Sequence, residues 1–103
     1  MFACQWSIDV PYGKQREALQ AMKAWGAEKM RSSNFRKSKN RIVVGFIGAS
    51  ASHIVDEYLF ESLDDFEKAL ADMGQPQFRP LSDALAPYII SGSQKWTIYR
   101  LVE

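Results

Sequence analysis

With 103 residues the chain has room for one hydrophobic core and not two, so residues 1–103 are expected to form a single domain. Thirteen basic residues stand against twelve acidic ones, a net charge of +1, which excludes the strong basic excess of a general nucleic-acid binder. Cys4 is the only cysteine, so neither an intrachain disulfide nor a multi-cysteine zinc site can form, and a reducing, cytoplasmic compartment is expected.

Phe2, Cys4, Trp6, Ile8 and Val10 alternate with Ala3, Gln5, Ser7 and Asp9. This period of two predicts a strand with one face in a core, and its polar members do not suit the apolar centre of a cleavable leader. Pro11-Tyr-Gly13 ends it. From Lys14 to about Ser32 the period becomes helical: Ala18, Met22 and Trp25 form a stripe, broadened by Leu19 and Ala21, while Lys14, Arg16, Glu17 and Lys23 take the wet side. Gly26 inside that helix predicts a close approach to a neighbouring element.

Arg31–Arg41 reads as a loop with five basic residues and no acid. It is a solvated connection or, with Phe35, an anion-attracting rim; no phosphate-cradling glycine loop is present. The next strand, Arg41–Ala49, is apolar on both faces, with Ile42, Val44 and Phe46 on one and Val43 and Ile47 on the other. A sheet covered by helices on one side needs a partner for its second face, and packing against the sheet of a second copy is the simplest supply. Gly48–Ser52 predicts a hairpin turn into a strand over His53–Glu61.

In that strand Asp56 shares a face with Ile54, Tyr58 and Phe60, and Glu57 shares the other with His53, Val55 and Leu59. Ser62-Leu-Asp-Asp65 opens a capped helix whose stripe is Phe66, Leu70 and Met73, closed by Gly74 and Pro76. A short helix is expected between Pro80 and Pro87, and a final strand over Trp96–Val102. No run nears the roughly 20 apolar residues of a bilayer span, so no membrane partner is expected. The order β-α-β-β-α-(short helix)-β is the split βαβ arrangement of a ferredoxin-like α+β fold with a four-stranded antiparallel sheet.

With that element order, Tyr58-Leu-Phe-Glu-Ser-Leu-Asp-Asp-Phe66 and the closing Tyr99-Arg-Leu-Val-Glu103, the chain resembles the dimeric α+β barrel superfamily, in particular its NIPSNAP-like and antibiotic-biosynthesis-monooxygenase-like members. The resemblance covers nearly the whole length. It implies a homodimer whose two sheets close into one barrel. It implies no single reaction, since such proteins include cofactor-free oxygenases, isomerising enzymes and haem-degrading enzymes. The Asn, Trp and His set of the haem-degrading group is not recognisable: the first helix holds Trp25 but no histidine.

The candidate chemistry lies in the polar residues that interrupt apolar rows. His53 is the only histidine, which excludes the usual His-rich metal sets; it is a turn residue or a general base. Asp56 and Glu57 require a cation or a raised pKa, and Arg100, which also interrupts an apolar row, is the candidate cation. Either these form a structural ion pair, or Glu57 or His53 takes a proton while Arg100 holds an enolate or phenolate. Trp6, Trp25 and Tyr58, with Asp56, are candidate substrate-binding residues, and the tryptophans also read as core. The expected function is a homodimer with a pocket for a small aromatic or polyketide-like compound, cofactor-independent, of oxygenase or isomerase type. The alternatives are a non-catalytic binding or interaction module and a haem-binding protein.

Overall fold

The alternating N-terminal residues form the first strand, β1 (Phe2–Asp9), and the stripe that follows forms α1 (Gln15–Ser32). The structure, a computed structural model, describes residues 1–102; Glu103, the last residue of the closing stretch, lies outside the described residues. After α1 come β2 (Lys39–Val44), β3 (His53–Phe60), α2 (Leu63–Asp72), α3 (Arg79–Leu85) and β4 (Lys95–Arg100), with short 3-10 turns at Asn34–Lys37, Pro76–Phe78 and Ala86–Tyr88. The four strands are antiparallel in the order β2-β3-β1-β4, the ferredoxin-like arrangement expected from the element order.

Register decides which residues meet. Trp6 stands opposite Asp56 on one side and Trp96 on the other, and Cys4 opposite Tyr58 and Ile98. These residues, with Ile8, Ile54 and Phe60, lie on the sheet face covered by the helices. Ala3, Gln5, Ser7, Val55, Glu57, Arg41, Val43, Thr97 and Tyr99 lie on the other face, which no helix covers.

Two apolar clusters fill the helix side. Cys4, Phe35, Tyr58, Phe60, Phe66 and Ala69 form one beneath α2; Ile8, Val10, Ala18, Met22, Ile54 and Leu85 form the other beneath α1 and α3. Ser62 Oγ accepts the amide of Asp65 at 3.2 Å, so the expected cap starts α2, while the Asp65 carboxylate pairs with Lys37 at 3.4 Å.

Two segments differ from the sequence reading. The basic loop is largely ordered into helix, 3-10 turn and strand, and Phe35 is core rather than rim. The reason is local: Ser33 Oγ donates to the carbonyl of Lys29 at 2.7 Å and accepts the amide of Phe35 at 3.1 Å, while Asp72 Oδ2 accepts from the Asn34 amide at 2.7 Å.

The second strand ends at Val44 rather than Ala49, leaving Phe46 and Ile47 in the connection, 91% and 88% exposed. Gly45 is the cause. Its amide donates to the His53 carbonyl at 2.9 Å, and the chain folds back so tightly that a Cβ there would lie 1.9 Å from the Ser50 carbonyl oxygen. At Gly26, by contrast, a Cβ would meet Asn40 Oδ1 at an ordinary 3.8 Å, a contact that leaves room for alanine.

Candidate functional site

The stripe Ala18, Met22, Trp25 continues at the same spacing to Lys29, which therefore points into the sheet instead of into water. Lysine at such a position normally extends its stem toward solvent. Lys29 cannot, because Ser33 caps its turn and carries Phe35 across the end of the side chain. It is 3% exposed.

Beneath it lies the middle of β3. Lys29 Nζ donates to Tyr58 Oη at 3.1 Å and sits 3.8 Å from Asp56 Oδ2. Tyr58 Oη donates to the same Asp56 oxygen at 2.5 Å, and Asn40 Nδ2 donates to the other at 2.6 Å. Asp56 is 2% exposed, so a carboxylate in the core accepts from two neutral donors and faces one cation. Burial pushes its carboxyl up, against the pull of Lys29, Tyr58 and Asn40. Burial also lowers Lys29, to about 8, with Asp56 opposing, and raises Tyr58 with Asp56 adding to the rise.

Above this network is a cleft of about 190 Å³ walled by Trp6, Trp25, Phe35, Leu70, Met73 and Trp96, with Lys29 as its charged member. The lysine head lies 4.1 Å from the ring centre of Trp25, 5.2 Å from Phe35 and 5.7 Å from Trp6, within cation–π range of three walls. Trp6 and Trp25 meet edge to face at 5.7 Å. Trp25 Nε1–H is buried with no acceptor among the described residues. A buried cation among ring walls suits an oxygen acceptor on a flat, apolar body.

Of the residues singled out from the sequence, Trp6 and Trp25 line this cleft, and Asp56 and Tyr58 form the network under it. His53, Glu57 and Arg100 do not enter it. His53 lies on the uncovered sheet face with its Nδ1 2.9 Å from the Asp9 carboxylate, its neighbour across β1. Glu57 lies on that face too. Arg41 Nε donates to it at 2.7 Å and Gln5 Nε2 at 2.9 Å, and the Arg41 bonding chiefly lowers its carboxyl pKa.

Arg100 is exposed, and among the described residues it pairs with neither Asp56 nor Glu57, which overturns the ion pair within one chain. It shares the helix-side face, so Glu57 is on the wrong side of the sheet. Its register partner is Phe2, four positions along β1 from Trp6, the partner of Asp56, a separation of roughly 13 Å along the strand. The cation that sequence reading missed is Lys29; its signal was its place in the α1 stripe.

The second concavity, about 450 Å³, lies on the uncovered face between Ala3, Arg41, Glu57, Leu59 and Leu101. It is broader but open to solvent and has no aromatic walls, and its buried charge, Glu57, is already paired with Arg41. Haem does not fit the helix-side cleft: the one histidine is on the far face of the sheet, and about 190 Å³ is too little for a porphyrin. Among the described residues no helix is long and apolar enough to cross a membrane.

Fold and site together define a ferredoxin-like α+β protein with an aromatic cleft on its helix side. No protein-family model matches the chain, and no curated protein matches it in sequence. Solved structures do match. Atu4242 from Agrobacterium tumefaciens, a NIPSNAP family protein with unknown function, superposes with a TM-score of 0.80 at 20% identity, over 99% of this chain and 94% of that one. A NIPSNAP domain protein from Burkholderia xenovorans gives 0.78 at 12% identity, over 99% and 95%. SnoaB from Streptomyces nogalater, a cofactor-independent oxygenase, gives 0.71 at 16% identity, over 99% and 93% in a mutant form. The likeness is one of fold, shared with NIPSNAP proteins and antibiotic-biosynthesis-monooxygenase-like proteins.

Proposed function

We propose that the cleft between α1, α2 and the sheet binds a small, flat aromatic compound through an oxygen held by Lys29 and Trp25. The observation that carries this is a buried amine, Lys29, set among the rings of Trp6, Trp25 and Phe35 that wall an apolar cleft. The volume suits a single ring with one or two substituents better than a fused polycycle. An enolate or phenolate placed there would have its charge held by Lys29 among apolar ring walls. That is the requirement of cofactor-independent oxygenation or isomerisation, the class to which SnoaB gives one fold-level precedent.

The active form in this reading is a homodimer joined through the uncovered sheet faces. Val43 and Tyr99 stand exposed on that face, and Phe46 and Ile47 project from the hairpin beside it. The lone, buried Cys4 supports a reducing, cytoplasmic compartment.

One observation favours the rival reading of a non-catalytic module: both Asp56 oxygens already accept hydrogen bonds within the chain, as in a structural network. Titration with phenol, followed by tryptophan emission, separates the two. A saturable change that Trp25→Ala removes supports the cleft as a binding site. Emission unmoved at millimolar phenol contradicts it.

A further inference from the structure

We infer that Lys29 is a nucleophilic amine, which condenses with the carbonyl carbon of a small aromatic aldehyde or ketone in the cleft while Tyr58 and Asp56 carry the protons. The inference rests on the proposed occupant of the cleft and adds the carbonyl as the group recognised.

Of seven lysines in the chain, Lys29 is the one that is buried among the described residues. Its Nζ lies among Trp6, Trp25 and Phe35, all walls of the cleft, so a ring seated there brings its substituent to the amine. Asp56 does not depend on the ammonium for its hydrogen bonding, because Tyr58 and Asn40 each occupy one of its oxygens. Loss of the amine proton therefore leaves no carboxylate oxygen without a donor. Burial acts in the same direction: an amine that titrates near 8 is unprotonated near pH 7 in a fraction roughly two to three hundredfold larger than an ordinary lysine.

The step balances without an oxidant or reductant. The Nζ lone pair forms the C–N bond as the carbonyl π pair moves onto oxygen. Nitrogen releases protons through Tyr58 Oη, 3.1 Å away, which is itself bonded to Asp56 Oδ2 at 2.5 Å. The carbinolamine oxygen takes up protons along the same route and leaves as water while the C=N bond forms. One amine and one carbonyl enter; one imine and one water result.

Trapping tests this directly. The protein is incubated near neutral pH with 4-hydroxybenzaldehyde and sodium cyanoborohydride, which reduces an imine to a stable secondary amine, and adducts are located by intact mass and peptide mapping. The expected result is one dominant adduct at Lys29, formed roughly tenfold faster than at any exposed lysine, slowed by excess phenol. Lys29→Arg, which keeps a cation, should abolish that adduct while leaving the circular dichroism unchanged. If phenol alters tryptophan emission but adducts scatter over the exposed lysines, the amine is a fixed cation and the inference is overturned with the cleft reading intact. If phenol neither alters emission nor competes, the cleft reading fails and the inference fails with it.

Discussion

Lys29 Nζ and Asp56 Oδ2 stand 3.8 Å apart across the contact between α1 and β3, and the shorter path between them runs through the hydroxyl of Tyr58. The pair ties helix to sheet at the point where the two apolar clusters meet. Because the carboxylate has two other donors and the lysine has only Tyr58 and Asp56, the two ends are not equivalent.

Removing each end should therefore have unequal effects. Asp56→Leu leaves an ammonium without its counter-charge and strips Tyr58 and Asn40 of their acceptor, a loss of about 3 kcal/mol or more. Lys29→Met leaves Asp56 two donors and should cost about 1–2 kcal/mol. The double variant should be no less stable than Asp56→Leu alone, because the stranded charge is gone. Arg100→Met, exposed at the sheet edge, should stay within about 0.5 kcal/mol of the parent. Urea denaturation of the four variants reads all of this; additive losses at Lys29 and Asp56 would show that the two do not interact.

The pH dependence has a definite sign. Lys29 titrates lower in the folded chain, about 8, than its ordinary 10.5, so between those values the unfolded chain binds more protons and stability rises with pH. Tyr58 is shifted the other way, upward from its ordinary 10.0, so above about pH 10 the unfolded chain loses a proton first and stability falls. The parent should gain stability relative to Lys29→Met from about pH 8 to 10.5, while above about pH 10 the Tyr58 shift lowers the stability of both proteins. Parallel pH curves for the two proteins would mean that Lys29 is not shifted.

Gly45 tests the account of the hairpin. A Cβ at 1.9 Å from the Ser50 carbonyl cannot be accommodated without moving backbone, so Gly45→Ala should cost about 1–3 kcal/mol. Gly26→Ala, with its nearest contact at 3.8 Å, should be neutral or stabilising by a few tenths of a kcal/mol, up to about 1. Thermal melts of both would expose an error if the order were reversed.

These contrasts mark what the sequence discloses. The alternation in Phe2–Val10 reveals the buried face of β1, and Ser62 with Asp65 reveals the start of α2, because both are local rules written in adjacent residues. Asp56 and Glu57 stand out for the same reason. Their partners do not, because pairing depends on register: alternation puts Arg100 on a face but not at a height along the sheet. Lys29 was hidden by its own polarity, although its spacing from Trp25 continued the buried stripe. Gly45 looked like an interior strand residue, since nothing in the sequence shows how tightly Ser50 returns upon it.

Assembly can be tested on the uncovered face. Tyr99→Lys combined with Val43→Lys places charge at the centre of the proposed interface without touching either apolar cluster. Light scattering should give twice the chain mass for the parent and the chain mass for the variant, with unchanged circular dichroism. A parent mass of one chain at every concentration would contradict the dimer.

The central claim is that the cleft holds an oxygen-bearing ring against Lys29 and Trp25, and the Trp25 indole N–H reports on it most directly. In the ¹H–¹⁵N spectrum three indole signals are expected from Trp6, Trp25 and Trp96, and the Trp25 signal is assigned by its loss in Trp25→Phe. Adding phenol should move that signal downfield, as an unpaired N–H acquires an acceptor, with a saturable dependence on phenol. A Trp25 signal that stays in place while phenol rises to millimolar levels would contradict the account.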